Sequence, residues 1–143
     1  MDGSRGLDGV TVLVVDDDEA MRTLVCRMLK RMKIGQVLEA EGGPQALERL
    51  AATPDSIGIV VCDWNMPGMS GMELFKQVHA AKPALPFLML TGRADLDSVV
   101  AAKKAGVHGY IVKPISPQEL KTKIAFLLGH GAAQTAGGDG TAA

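Results

Sequence analysis

Short runs of β-forming residues alternate along this chain with longer segments of helical periodicity, and this alternation limits the folds that are possible. The runs that predict strands are 11–15, 36–40, 58–62, 86–90 and 109–112. The segments that predict helices are 21–32, 44–51, 70–78, 95–105 and 116–128. Successive β-α units of this kind predict an α/β fold in which helices cover both faces of a parallel sheet. Right-handed crossovers leave few topologies for such a sheet.

Local signals mark where several of these helices begin and end. Pro44 suits the first turn of the second helix, and Ser70 with Glu73 forms a capping box ahead of the third. Residues 116–119 form another capping box, with a proline at the first helical position. Gly106 is expected to end the fourth helix. These signals support the predicted order of elements.

The length of 143 residues suits one domain. We predict an N-terminal extension over residues 1–9, a folded domain over 10–129 and a flexible Gly- and Ala-rich tail over 130–143. Because 47% of the residues are hydrophobic, the domain can bury a substantial core. The first residues lack the apolar centre of a signal peptide, and every apolar run is shorter than a membrane span.

Charge and cysteine usage argue against several function classes. The 15 Lys and Arg residues nearly balance the 16 Asp and Glu residues, so the composition gives no support for binding to nucleic acid or insertion into a membrane. Cys26 and Cys62 lie in predicted core elements and lack the spacing of a metal or redox site. We expect both to be buried thiols of a cytoplasmic protein.

Polar side chains follow four of the five predicted strands. Residues 16–18 are three aspartates after the first strand, and Asp63 follows the third. Thr91 follows the fourth strand and Lys113 the fifth. Because parallel strands end at the same edge of a sheet, these side chains are expected to meet in the crevice where the strand order reverses.

This combination of residues predicts a site for a phosphoryl group. Clustered carboxylates repel one another unless a cation lies between them, and Mg²⁺ takes one or two carboxylates while keeping open positions for phosphate. Lys113 can neutralise a phosphate oxygen, and Thr91 can donate a hydrogen bond to another. Asp63 is the predicted nucleophile.

Each residue taken alone has a simpler interpretation. Asp18 is a good N-cap for the first helix, and Asp63 could belong to the turn over residues 65–68. Thr91 could be an ordinary loop residue and Lys113 a solvated surface residue. The joint occurrence of these residues at matching strand ends favours the functional interpretation.

Four motifs in order resemble the signature of response-regulator receiver domains. They are residues 14–17, 63–68, 91–92 and 113–114. The resemblance covers about residues 9–129, and within the family it is greatest to single-domain chemotaxis regulators of the CheY type. It implies a flavodoxin-like (βα)5 fold with strand order 2-1-3-4-5.

The resemblance also implies roles for the acidic residues. Asp63 would accept a phosphoryl group from the phosphohistidine of a histidine kinase. Asp17, Asp63 and the backbone carbonyl of Asn65 would ligate Mg²⁺, and Asp16 would support the metal, through water. The second strand, at the sheet edge, is expected to contribute nothing to the site.

Further implied roles concern signal output. Lys113 would contact the phosphoryl group, and its bond to Pro114 is expected to be cis. Thr91 would swing toward the phosphate while Tyr110 turns inward, which changes the face formed by the fourth helix, fifth strand and fifth helix. The remaining positions at the mouth of the pocket are Trp64, Gly92, Arg93 and Pro114. Arg93 could pair with phosphate or face water.

Alternatives remain for the activity and its context. A phosphatase of the haloacid-dehalogenase type would use Asp16 as the nucleophile and Asp18 as the acid, but Ala20 stands where that family has threonine. The chain could also be a phosphorelay shuttle or a receiver from a larger regulator. We expect a monomer that catalyses only its own phosphorylation and dephosphorylation. Its downstream target would be a flagellar motor component or a phosphotransfer protein.

Overall fold

The structure, a computed structural model, describes residues 7–92 and 96–129. Within these ranges strands and helices alternate as predicted. In chain order the elements are β1 Thr11–Val15, α1 Glu19–Arg31, β2 Gln36–Ala40, α2 Gly43–Ala52, β3 Ile59–Asp63, α3 Gly71–Ala81, β4 Phe87–Thr91, α4 Leu96–Ala105, β5 Gly109–Val112 and α5 Pro117–Gly129.

The strands form one parallel sheet in the order β2-β1-β3-β4-β5. This order confirms the predicted doubly wound, flavodoxin-like fold. The chain proceeds from β1 outward to β2 and then crosses to β3 on the other side of β1, so the order reverses between β1 and β3. The carboxyl ends of these two strands therefore flank the crevice that such folds use for ligands.

Two hydrophobic layers cover the sheet, one on each face. Alternate strand residues such as Val14 and Val61 pack with α1 and α5. The intervening residues, such as Val15 and Cys62, pack with α2 and α3. Every residue of β3 and β4 is buried, which explains why these strands are apolar throughout up to their last residue.

Two strands are shifted by one residue toward the C-terminus relative to the prediction. β3 ends at Asp63 and β4 ends at Thr91, because the ladder continues to these positions. Asp63 pairs with Leu90 in the register of β3 and β4, and Thr91 pairs with Val112 in the register of β4 and β5. The two polar residues are thus fixed by the sheet rather than by the loops that follow.

The predicted helix caps are present. The Asp18 side chain accepts hydrogen bonds from the backbone N–H groups of Ala20 and Met21, so Asp18 is the N-cap of α1. Ser70 and Glu73 form the reciprocal capping box of α3. These local bonds hold the amino ends of both helices beside the crevice.

The hydrophobic core includes a residue that precedes the predicted start of the folded domain. Leu7, in the predicted N-terminal extension, is only 3% exposed and joins the core. Residues 1–6 and the predicted tail lie outside the described residues, so the domain limits stay predictions.

Cys26 and Cys62 are buried free thiols, and burial raises both pKa values, that of Cys26 to about 11. No helix within the described ranges is long and apolar enough to cross a membrane.

Candidate functional site: an acidic pocket at the carboxyl ends of the strands

Asp16 is held on several sides immediately after β1. Its backbone N–H donates to the carbonyl of Ala40 at the end of β2, at 3.1 Å. Its Oδ1 atom accepts a hydrogen bond from the backbone N–H of Asp18 at 2.9 Å. Its Oδ2 atom is buried and has no hydrogen-bond partner within the described ranges. One carboxylate oxygen is therefore available to a ligand in the crevice.

Three aspartates meet in this crevice and define the acidic pocket. One oxygen from each of Asp16, Asp17 and Asp63 lies within 4.8 Å of the others. Asp16 and Asp63 are 2% and 5% exposed, whereas Asp17 is exposed. The Nζ atom of Lys113 lies 2.8 Å from Oδ1 of Asp63 in a salt bridge. The structure thus brings together the residues predicted from the ends of β1, β3 and β5.

The acidic pocket raises the pKa of the Asp16 carboxyl from an ordinary value of 3.8 to about 6. Burial is the largest cause, and the negative charges of Asp63 and Asp17 add to it. The hydrogen bond from the Asp18 backbone and the charge of Lys113 act in the opposite direction. Burial and the neighbouring carboxylates therefore both disfavour the charged form of Asp16.

The donor set of the acidic pocket fits a hard divalent cation. Its carboxylates are close together, and Oδ2 of Asp16 is buried without a hydrogen-bond partner among the described residues. Mg²⁺ prefers oxygen ligands of this kind and needs few from the protein. The carboxylate oxygens of Asp16, Asp17 and Asp63 meet that requirement.

The loop after β3 is packed tightly under the pocket. The backbone N–H of Gly71 donates to the Trp64 carbonyl at 2.7 Å. A Cβ atom at Gly71 would lie 2.8 Å from Cα of Trp64 and 2.9 Å from the sulfur of Met89, and it would also meet the carbonyl of Asp63. Only glycine lets α3 approach the end of β3 this closely. Gly68, with φ of +82°, completes the predicted turn.

Thr91 and Tyr110 lie on the side of the crevice formed by β4 and β5. Thr91 is buried, and its carbonyl accepts the backbone N–H of Lys113 at 2.7 Å. Alternation along β4 places Thr91 on the same sheet face as Met89, which pairs with Tyr110. Tyr110 is half-buried, and Nζ of Lys123 lies 5.9 Å from the centre of its ring. The two residues predicted to switch therefore share one face of the sheet.

The other described residues predicted at the mouth of the pocket are half-buried or exposed. Trp64 is half-buried, and Asn65, Gly92 and Pro114 are exposed. The Lys113–Pro114 bond is cis, which confirms that prediction. Arg93 lies outside the described residues, so its orientation stays open.

Sequence reasoning missed Arg22, which is buried on α1. Its Nη1 atom donates to the Asp16 carbonyl at 2.8 Å, and its Nε atom donates to Glu39 on β2 at 2.9 Å. The sequence does contain a signal for the burial of Arg22, because this residue falls on the same helical face as Val25 and Leu29. The edge strand β2, expected to contribute nothing, thus reaches the acidic pocket through Arg22.

Known proteins resemble this chain over most of its length. Residues 12–125 match the family model of the response regulator receiver domain. Chemotaxis protein CheY1 of Helicobacter pylori strain J99 is 43% identical over 120 residues, which cover 82% of this chain and 96% of that protein. A CheY homolog of Campylobacter jejuni strain 81-176 is 42% identical over 127 residues, covering 87% and 97%. The solved structure of Vibrio cholerae CheY4 superposes with a TM-score of 0.74 at 30% identity, covering 80% and 95%.

Fold and similarity agree on the class of protein. A doubly wound parallel sheet with an acidic pocket at its switch point is the architecture of a signalling receiver. The chain belongs to the response regulator receiver domain family, whose members act in two-component systems as signalling proteins rather than classical enzymes. Within that family it is of the CheY type. The haloacid-dehalogenase alternative has no support from these findings.

Proposed function

We propose that Asp63 accepts a phosphoryl group from the phosphohistidine of a histidine kinase. The observation that carries the proposal is the 2.8 Å contact of Lys113 with Asp63 inside a group of three close carboxylates. Asp63 is buried at the end of a central strand, so the sheet fixes the position of its carboxylate beside Lys113. Lys113 is placed to neutralise charge that develops on the phosphoryl oxygens.

The side chains of Asp16, Asp17 and Asp63 and the backbone carbonyl of Asn65 would hold Mg²⁺. The cation would neutralise the negative charge that Asp63 and the incoming phosphate share. Asp16 is the residue best suited to a supporting role, because one of its oxygens is already bonded to Asp18. Asp17 is the exposed member of the group.

In the proposed reaction, a carboxylate oxygen of Asp63 attacks the phosphorus atom of the phosphohistidine. The P–O bond forms as the P–N bond breaks, and the imidazole nitrogen leaves with the electrons of that bond and takes up a proton from water. The product is an acyl phosphate on Asp63. Lys113 would exchange its contact with the carboxylate for one with a phosphoryl oxygen.

The phosphoryl group would then bias a conformational equilibrium at Thr91 and Tyr110. The added charge favours a state in which the Thr91 hydroxyl donates to a phosphoryl oxygen and Tyr110 turns inward. The output face, formed by α4, β5 and α5, would present different side chains in the two states. Exposed apolar residues on this face, namely Leu96, Val100 and Phe126, suit it for contact with a protein.

The proposed partners are a histidine kinase and a downstream protein, of the chemotaxis and motility type. The names of the relatives from Helicobacter and Campylobacter support the chemotaxis role. A phosphorelay shuttle is the alternative. We further propose that the protein acts in the cytoplasm as a monomer, without nucleic acid or membrane insertion.

The first test is intact mass after incubation with Mg²⁺ and acetyl phosphate. We expect one phosphoryl addition that EDTA prevents and that Asp63→Asn abolishes without loss of the fold. Asp97→Asn is the matched control, because it removes an exposed carboxylate from α4. Uptake by Asp63→Asn at the wild-type rate would contradict the proposal.

The second test separates phosphorylation from its output. Lys113→Ala should still accept a phosphoryl group, although more slowly, but should not change its affinity for a partner on phosphorylation. The measurement compares binding of motor and phosphotransfer proteins to the phosphorylated and unphosphorylated forms. Capture of a phosphotransfer protein alone would favour the shuttle. If phosphorylation changes the partner affinity of Lys113→Ala as much as that of the wild type, Lys113 has no role in the conformational switch.

A further inference from the structure

Arg22 is a buried guanidinium on the apolar face of α1, and it bridges two elements of the sheet. Its side chain is 11% exposed, and its pKa is raised chiefly by the hydrogen bond to Glu39. One nitrogen donates to the carbonyl oxygen of Asp16 and another to the carboxylate of Glu39. The two contacts come from separate nitrogen atoms of one rigid planar guanidinium, a geometry that the single nitrogen of a lysine ammonium group does not reproduce.

The ion pair alone does not explain this arrangement. The Glu39 side chain is 49% exposed, and ion pairs so open to water contribute little to stability. Burial of the Arg22 head is therefore balanced by its second bond, to the main chain of Asp16. That bond acts on the residue whose side chain supplies the unpartnered oxygen of the acidic pocket.

We infer that Arg22 is a positioning residue of the acidic pocket. Together with the hydrogen bond from the Asp16 N–H to Ala40, it fixes the peptide that carries Asp16 against the edge strand β2. This sets the distance of Asp16 and Asp17 from Asp63 across the crevice. The inference rests on the proposed function, because it assumes that these carboxylates share a cation.

The direction in which Mg²⁺ affinity changes when Arg22 is replaced distinguishes a positioning role from a purely electrostatic one. Removing a positive charge near a cation site should strengthen Mg²⁺ binding by Coulomb attraction alone. Loss of a positioning contact should weaken it, because the carboxylates are no longer held at the required spacing. Arg27 provides a matched control, since it is an exposed arginine on the same helix.

The experiment is a titration of the EDTA-treated full chain with Mg²⁺, followed by Trp64 fluorescence and by calorimetry. We expect Arg22→Ala to raise the dissociation constant about 3- to 10-fold, less than the roughly 10- to 100-fold typical of residues that hold a ligand side chain, because this contact is to the main chain. Arg22→Lys should recover part of this loss. Arg27→Ala should leave the affinity unchanged or slightly increase it.

Two further variants keep the test decisive if Arg22→Ala is unstable. Glu39→Gln retains an acceptor for Arg22 and should weaken Mg²⁺ binding by less than Arg22→Ala does. Val25→Ala, on the buried face of α1, destabilises the helix without touching the pocket and should leave the affinity unchanged. If it weakens binding as Arg22→Ala does, the effect is general stability and the inference is wrong.

The failures of the two proposals have different signatures. A wild-type chain that gives no saturable response to Mg²⁺ overturns the proposed metal site and the inference with it. A wild-type chain that binds Mg²⁺ while Arg22→Ala binds equally well or more tightly overturns the inference alone. Weaker binding by Arg22→Ala, with Arg27→Ala and Val25→Ala unchanged, supports it.

Discussion

The two sides of the crevice are built differently. On the side of β1, helix α1 buries five side chains and ties the acidic pocket to the edge strand through Arg22. On the side of β4 and β5, helix α4 buries only Ala102 and exposes Leu96 and Val100. Helix α1 is thus closely packed against the sheet, whereas helix α4 is loosely packed.

The difference agrees with the proposed function, which needs carboxylates at fixed positions on one side of the crevice and a surface that can rearrange on the other. Carboxylates that share a cation need constant spacing, which dense packing and hydrogen bonds provide. A surface that changes between two states must have low local stability, because its contacts have to rearrange. The contrast between α1 and α4 can be tested directly.

The largest expected contrast is between matched leucines on the two helices. Leu29→Ala removes a fully buried side chain from α1 and should lower the free energy of unfolding by about 3 to 4 kcal/mol. Leu96→Ala removes a side chain that is 75% exposed on α4 and should change it by about 0.5 kcal/mol or less. Urea unfolding measures both. Similar losses in the two variants would mean that α4 is packed as firmly as α1.

A second contrast compares two glycines beside the pocket. Gly71→Ala should destabilise the protein by about 2 to 3 kcal/mol, because the new methyl group meets the main chain of Asp63 and Trp64. Gly92→Ala, just after β4, serves as the control, because a Cβ atom there meets no atom of the described residues within 4 Å. Thermal unfolding of the two variants should separate them. If Gly71→Ala is as stable as the wild type, α3 can shift away from β3, and the packing beside the acidic pocket is not rigid.

The third prediction concerns Asp16 and pH. Its folded pKa of about 6 exceeds the ordinary 3.8, so its contribution to stability is present in acid and is lost as the pH rises through about 6. In metal-free buffer near pH 7.5, Asp16→Asn should therefore be more stable than the wild type by about 2 kcal/mol. The advantage should vanish below about pH 4. Added Mg²⁺ should stabilise the wild type more than the variant, and equal stabilisation would exclude Asp16 from the metal site.

The smallest expected effect has the opposite sign and lies beside β5. Burial, together with nearby His79, lowers the pKa of His108, whose Nδ1 accepts the backbone N–H of Phe87 at 3.1 Å. Its contribution to stability is therefore present above the ordinary value of 6.5 and is lost as the pH falls through the lower folded value. His108→Gln should reduce the loss of stability between neutral pH and about pH 5 in urea unfolding. A pH dependence unchanged in the variant would assign it to another group.

Much of the fold followed from local patterns. The predicted strands agree with the observed ones to within one residue, and the caps at Asp18 and Ser70 are where the sequence placed them. The one-residue difference in β3 and β4 arose because Asp63 and Thr91 are polar, and an apolar pattern cannot show that a ladder continues onto a polar residue. Pairing with the neighbouring strand decides that.

The sequence alone determined the β-α rhythm, the parallel sheet and the set of polar residues at the strand ends, because each depends on periodicity or on position along one segment. Only the tertiary structure decided that Arg22 and Glu39 meet behind Asp16, since that contact requires β2 to lie beside β1. It also decided that Thr91 and Tyr110 share a face, through the register of β4 and β5. Such contacts join residues far apart in the chain, and local periodicity carries no information about which strands become neighbours.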